Sequence, residues 1–226
     1  MGRFGESIST WMGALTRPHE AAGLVLDERR GARFAWFLVG CVAALYCAYG
    51  LSMGIYRGAA CCLFSALKLP VLYLATFAVC LPLFYALNCA YEQRLTGPQC
   101  LRLLLIASSA NALAVASFAP FSLFFSLTTS SSDADYHFIL VLQVAVFAVA
   151  AFISVIEIGL VFRATAARLG RRLRPALVLS WAVLYAFVLS QMAWVLRPWV
   201  GTWGLDYEPL RPIGGSFFKA LWDLLH

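Results

Sequence analysis

The amino-acid sequence predicts an all-α membrane protein, a polytopic bundle of transmembrane helices with five spans. Hydrophobic residues make up 62% of the 226 residues and charged residues only 12%, and the mean hydropathy is +0.80. A soluble domain has roughly a quarter charged and about half apolar residues. The apolar residues also form continuous runs near the roughly 20 residues that a helix needs to cross a bilayer. Because these runs do not alternate with polar residues, a membrane β-barrel does not fit them.

Residues 1–33 precede the first apolar run, and we interpret them as a cytoplasmic N-terminal segment. One helical face of the stretch FGESISTWMGAL carries apolar side chains: Phe4, Ile8, Trp11, Met12 and Leu15. This spacing predicts a short helix. Such a helix either lies in the membrane interface or docks on the protein's own loops, and the sequence leaves both arrangements open.

Residues 34–196 are predicted to form the five-helix transmembrane domain. The expected spans are at about 34–56, 69–91, 101–127, 138–162 and 176–196. Pro70 and Pro82 fall inside the second span and Pro120 inside the third. A proline kinks a membrane helix, and it is tolerated where neighbouring groups satisfy the carbonyl that it frees.

The basic residues predict the orientation of the chain. Three stretches that should lie on one side of the membrane (1–33, 92–102 and 163–174) hold twelve Lys and Arg residues, and the other side holds five. Basic residues concentrate in cytoplasmic loops. We therefore expect a cytoplasmic N-terminus and, with five spans, a C-terminus on the opposite side.

Residues 197–226 are predicted to form an extracytoplasmic tail. Its first part is rich in Pro, Gly and Trp, and its last part, SFFKALWDLLH, has the spacing of a short amphipathic helix. Trp194, Arg197 and Trp199 stand where the fifth span should meet the membrane surface. Tryptophan prefers that depth and arginine binds headgroup phosphates there, so these three residues are candidate lipid contacts.

The net charge of +6 comes largely from the loop between the fourth and fifth spans. We expect its guanidinium groups to contact anionic lipid headgroups. The residues concerned are Arg163, Arg168, Arg171, Arg172 and Arg174. No recognition motif for nucleic acid accompanies them, and we expect no nucleic-acid partner.

No pattern of catalytic or metal-binding residues is found in the sequence. It has no GxSxG elbow, P-loop, HExxH or glycine-rich dinucleotide turn. Its cysteines form no CxxC pair, and His19, His137 and His226 are too dispersed to act as a ligand set. We therefore expect no metal, no cofactor and no enzymatic activity.

Four polar side chains inside the spans form the candidate intramembrane site: Glu157, Asn111, Gln143 and Asn88. Glu157 is the one charged residue well inside a predicted span, and charged residues at such depth are functional candidates. It lies six residues, or roughly 9 Å, from Arg163. Its carboxylate is either wetted from the cytoplasm or paired with a basic residue nearby, such as Arg168 or Arg102. As a structural residue Glu157 would fix helix packing, and as a transport residue it would bind a proton or cation.

Three segments resemble a group of uncharacterised bacterial five-span integral membrane proteins, some of which carry an actin-binding WH2-domain label. The segments are 48–88, 116–129 and 190–201. The overall plan is also similar, more weakly, to the Yip1 family of membrane-trafficking proteins. The first resemblance implies a bacterial inner-membrane protein with no assigned reaction.

These observations favour a non-enzymatic scaffold or accessory subunit that packs against lipid and other membrane proteins. A small transporter or channel that uses Glu157 and the polar residues of the third span is the alternative. An intramembrane enzyme, with a site assembled from distant helices, is a third class.

Overall fold

The computed structural model describes residues 3–93, 95–129 and 133–196, and these residues are helical apart from short connections. The helices are α1 (Arg3–Thr16), α2 (Pro18–Leu26), α3 (Glu28–Gly54), α4 (Ala59–Ala90), α5 (Gly97–Ser117), α6 (Ala119–Thr128), α7 (Asp133–Arg168) and α8 (Pro175–Val195). Five segments are long and apolar enough to cross a membrane: α3, α4, α5 with α6, most of α7, and α8. The all-α, five-span prediction is confirmed.

Four of the spans are longer than the sequence predicted, and in the first and fourth of them charged residues continue the helix. The first span begins at Glu28 and not near residue 34, and the second begins at Ala59 and not near residue 69. Lys68, which was expected in a loop, is consequently a buried residue within α4. Arg163 and Arg168 lie on α7 and not in the loop that follows it. A hydropathy pattern marks where apolar residues end, whereas hydrogen bonding decides where the helix ends.

Asp27 explains why α3 begins several residues before the predicted start of the first span. The Asp27 carboxylate caps α3 by accepting hydrogen bonds of 3.0 Å from the backbone N–H groups of Arg29 and Arg30. The bond from Arg30, with a smaller contribution from Arg29, lowers the pKa of the Asp27 carboxyl. A carboxylate at a helix N-terminus satisfies free N–H groups and interacts favourably with the helix dipole.

The prolines act in two ways. Pro120 stands in the first turn of α6, after the third span breaks at Phe118. Pro70 lies inside the continuous helix α4, where it cannot donate a hydrogen bond to the carbonyl of Ala66. The thiol of Cys47 on α3 donates to that carbonyl at 3.0 Å. A neighbouring helix thus satisfies the acceptor that the proline frees.

Helices α3 and α4 pack backbone against backbone at Gly50 and Gly54. A Cβ atom at Gly50 would lie 2.6 Å from the carbonyl oxygen of Ser65, and one at Gly54 would lie 2.4 Å from the Cα of Cys62. Small residues four positions apart permit this approach in membrane helices. The sequence GLSMG at 50–54 therefore sets the distance between the first two spans.

Helix α5 occupies the centre of the bundle and α8 the periphery. Half of the most apolar stretch of the α5–α6 span is buried inside the protein, compared with 11% of the corresponding stretch of α8. Helix α8 packs mainly on α4, where the ring of Trp181 meets Phe84 at 5.7 Å between centroids. Phe162 of α7 contacts the same Phe84 ring at 6.1 Å.

The connections after α4 and α7 end these helices in the same way and lie side by side. After α4, Glu92 adopts a left-handed conformation (φ 56°), and the N–H of Gln93 bonds back to the carbonyl of Asn88 at 3.0 Å. After α7, Gly170 (φ 67°) and the N–H of Arg171 repeat this Schellman arrangement. The guanidinium of Arg171 then donates to the carbonyl of Glu92, which joins the two turns.

Helices α1 and α2 dock on this same end of the bundle, which we name the arginine-rich end (α1, α2 and the connections after α4 and α7). The guanidinium of Arg168 donates to the carbonyl of His19 at 2.8 Å, and that of Arg102 donates to the carbonyl of Asp27. These contacts place together the three stretches that the charge pattern assigned to one side of the membrane.

Helix α1 is docked on the protein and still exposes apolar side chains. The indole N–H of Trp11 donates to the hydroxyl of Ser109 on α5 at 3.0 Å, in a buried contact. Ile8 and Met12 remain exposed beside it. The sequence left open whether this helix lies in the membrane interface or docks on the protein. In the structure α1 is docked, and part of its apolar face remains exposed.

We predict that Gly50→Ala destabilises the bundle by about 1–3 kcal/mol, the usual cost of overpacking a tight contact. The matched control is Gly40→Ala on the same helix, where a Cβ meets no atom within 4 Å. That change should leave stability unchanged or raise it by up to about 1 kcal/mol, because alanine is the better helix former. Thermal unfolding in detergent measures both, and equal melting temperatures for the two variants would contradict the close packing.

Candidate functional site

The polar side chains within the bundle converge on two tyrosines of α3. The hydroxyl of Tyr46 donates to the amide oxygen of Asn111 on α5 at 2.6 Å, and both side chains are buried. The ring of Tyr46 stacks on Tyr73 of α4, with centroids 4.0 Å apart and planes 8° from parallel. Tyr46 therefore ties α3 to α4 through its ring and to α5 through its hydroxyl.

One turn further along α3, Tyr49 makes a second set of bonds. Its hydroxyl donates to the amide oxygen of Gln143 on α7, and the amide nitrogen of Gln143 donates to the hydroxyl of Ser122 on α6 at 2.8 Å. The ring of Phe147 packs edge-on against Tyr49, at 5.6 Å between centroids. We name these bonded residues the tyrosine network: Tyr46, Tyr49, Asn111, Ser122 and Gln143.

Three hydrogen bonds connect the members of the tyrosine network to one another. Gln143 has its oxygen and its nitrogen engaged, and each tyrosine hydroxyl has an amide acceptor. An unsatisfied polar group in a membrane interior costs several kcal/mol, so each of these bonds favours the packed bundle over separated helices. Chemically, the arrangement is suited to holding four helices together: α3, α5, α6 and α7.

Of the four residues predicted for an intramembrane site, Asn111 and Gln143 lie in the tyrosine network and the other two lie elsewhere. Asn88 is in the last turn of α4, where its side-chain amide donates to the carbonyl of Leu95 at 3.0 Å. It shapes the connection to α5. Glu157 lies on α7, on the side that packs against α5, one turn from Ser154, whose hydroxyl donates to the carbonyl of Ala107 at 3.3 Å.

Glu157 is partly buried, and its Oε1 atom is buried without a hydrogen-bond partner among the described residues. The predicted pairing with Arg102 or Arg168 is wrong. Arg102 is bonded to the carbonyls of Asp27 and Pro98, and Arg168 to that of His19. Both guanidinium groups are held by the docked N-terminal helices, which the sequence did not show to be docked.

The predicted lipid-binding arginines differ in their surroundings. Arg168 and Arg171 bond to carbonyls of the protein itself. Arg163, Arg172 and Arg174 have exposed side chains at the arginine-rich end. Trp194 lies partly buried in the last turn of α8. Arg197, Trp199 and the predicted amphipathic helix of the tail lie outside the described residues.

Sequence reasoning did not identify Tyr46, Tyr49 or Ser122 as site residues. The tyrosines were counted as apolar, although a tyrosine hydroxyl at membrane depth needs an acceptor. The need of those hydroxyls for an acceptor was the signal that could have added both tyrosines to the polar set, without identifying their partners. Gly50 and Gly54 were missed although their small-xxx-small spacing is a known helix-packing signal.

Within the described residues, no group of three or more His, Cys, Asp or Glu side chains comes close enough to hold a metal ion. No protein-family model, no curated protein and no solved structure matches the chain.

Proposed function

We propose that the protein is a non-enzymatic scaffold or accessory subunit of a membrane complex. The observation that carries this proposal is the tyrosine network, in which the amides and hydroxyls at membrane depth bond to one another across α3, α5, α6 and α7. Polar groups engaged in this way fix helix positions. They stabilise one arrangement of the bundle, which is the property that a scaffold needs.

The partner surface in this proposal is the exposed face of α8. Its apolar side chains recur at helical spacing along the face away from α4: Leu179, Val183 and Phe187. A helix that is buried to so small an extent in its own bundle offers most of its surface to lipid or to another membrane protein. The partner is accordingly a membrane protein that presents an apolar helix face.

The same proposal includes a location and an orientation. The predominance of arginine at one end supports a cytoplasmic arginine-rich end. The exposed guanidinium groups of Arg163, Arg172 and Arg174 would there meet anionic headgroups. The resemblance to bacterial five-span proteins supports the bacterial inner membrane.

Photo-crosslinking from α8 tests the scaffold proposal. A photoreactive amino acid replaces Leu179 or Val183 in cells, and the expected result is a discrete crosslinked protein band. The matched controls replace Leu63 or Leu67 on α4, because their side chains are equally exposed: 69% and 62%, against 67% and 63% on α8. Bands at α8 that are absent at α4 support the proposal. Lipid adducts alone at all four positions would count against it.

A second candidate function, a proton or cation transporter, is favoured by one observation. Glu157 keeps a buried carboxylate oxygen without a hydrogen-bond partner in the described residues, inside a predicted span. Ionisable groups of this kind mark ion paths in many membrane proteins. The adjacent α5 supplies hydroxyl groups, among them Ser109, which is bonded to Trp11.

On the scaffold proposal, we predict that Glu157→Gln retains the fold. Glutamine keeps the shape and most of the hydrogen-bonding ability, so the loss of stability should stay within about 2 kcal/mol, the upper range of polar contacts between membrane helices. Vesicles that contain the wild-type protein should show no proton or cation flux above empty vesicles.

The control for this measurement is Glu92→Gln, which neutralises an exposed carboxylate and leaves the carbonyl that Arg171 binds. A flux in the wild type that persists in Glu92→Gln and vanishes in Glu157→Gln, at an unchanged melting temperature, would establish the transporter instead.

A further inference from the structure

A lateral groove of about 560 Å³ opens between α3, α4 and α5 at the arginine-rich end. Apolar side chains line its length, among them Trp36, Val39, Leu74, Phe77 and Leu105. Arg102 and Glu28 stand at its mouth. Its volume lies within the roughly 300–1,000 Å³ range of small-molecule sites.

The length of the groove matches one leaflet of a bilayer. Along α3 it runs from Glu28 to Val39, a rise of about 16 Å at 1.5 Å per residue. Half of the hydrocarbon core of a bilayer is about 15 Å. Glu28 begins the helix at the arginine-rich end and Val39 lies near its middle, so the groove extends from headgroup level to the bilayer centre.

The guanidinium group at the mouth of the groove is buried in the protein. Arg102 is 5% exposed. Its Nε donates to the carbonyl of Pro98 at 3.0 Å and its Nη1 to that of Asp27, both neutral acceptors. Among the described residues no ion pair includes it. The carboxylate of Asp27, whose pKa the charge of Arg102 helps to lower, compensates this cation only in part. A partly compensated buried cation favours an anionic ligand.

The surrounding sequence adds to this positive charge. Residues 27–33 contribute three further arginines, at positions 29, 30 and 33, and the two carboxylates of Asp27 and Glu28. This segment together with Arg102 therefore carries four cations and two anions, and Glu28 and Arg102 line the groove itself. Trp36, which is 79% exposed, forms one wall of the groove, and tryptophan is the side chain that most favours contact with the headgroup region.

We propose that this groove binds one anionic phospholipid, with an acyl chain along α3 and the phosphate at Arg102. The site is separate from the exposed arginines after α7 and from the α8 surface. Because Arg102 of α5 also bonds to the carbonyl of Asp27, between α2 and α3, the bound lipid would stabilise the docking of the N-terminal helices on the bundle.

Native mass spectrometry of the full chain tests this proposal. The protein is delipidated in mild detergent and incubated with palmitoyl-oleoyl phosphatidylglycerol or with the zwitterionic phosphatidylcholine of the same chains. We expect one bound lipid, with phosphatidylglycerol retained about fivefold more than phosphatidylcholine, the effect of one favourable charge contact. Equal retention of the two lipids would overturn the proposal.

Ala32→Trp fills the groove from an exposed position of α3, and Ala44→Trp adds the same bulk to an exposed position of α3 outside it. Ala32→Trp should lower phosphatidylglycerol retention about tenfold through lost acyl-chain burial, and Ala44→Trp should leave it unchanged. Phosphatidylglycerol retention that is unaffected by Ala32→Trp contradicts the proposal. A wild-type dimer that dissociates in the Ala32→Trp variant also contradicts it, because a second copy of the chain would then fill the groove. If Ala32→Trp does not fold, Trp36→Ala decides: weaker retention supports the site and unchanged retention refutes it.

Discussion

The bundle depends on hydrogen bonds that Tyr46 and Tyr49 donate across the membrane interior. Without water, a tyrosine hydroxyl and an amide carbonyl have few alternative partners, so pairing them favours one register of the helices. The donors lie one turn apart on α3, and their acceptors lie on α5 and α7. The glycines at positions 50 and 54 bring α4 close on the next turn, so the second half of α3 serves as the common interface of the bundle.

At the arginine-rich end a different chemistry fixes the structure. Arg102, Arg168 and Arg171 each donate to a backbone carbonyl in another part of the chain. The carbonyl of Glu92 lies in the turn after α4, and those of His19 and Asp27 lie at the N-terminal ends of α2 and α3, where the Asp27 carbonyl also accepts a bond from the N–H of Gly31. The arginines thus connect α2, α5, α7 and the turn after α4 without neutralising their charge. The charge of Arg102 remains available to an anion, which is the basis of the proposed lipid site in the groove.

The fold class could be predicted from the sequence because continuous apolar runs of about 20 residues are typical of membrane-spanning helices. The break at Pro120 and the tolerated Pro70 also follow from the behaviour of proline in helices. The hydrogen-bond partners of individual side chains were less predictable than the fold class. Glu157 was assigned Arg102 or Arg168, but both arginines are engaged by α2 and the start of α3, and nothing in the local sequence shows that these segments dock. The acceptors of Tyr46 and Tyr49 lie 65 and 94 residues away, and a single sequence holds no signal for contacts at such separation.

The central claim is that polar side chains in the membrane interior act as bonds between helices. A double-mutant cycle with Tyr46→Phe and Asn111→Leu tests it directly, because phenylalanine keeps the stack on Tyr73 and removes only the hydroxyl. Unfolding free energies of the wild type, both single variants and the double variant should give a coupling of about 0.6 kcal/mol, with about 1.7 kcal/mol as the upper bound seen for such pairs. Additive effects, with a coupling near zero, would contradict the claim.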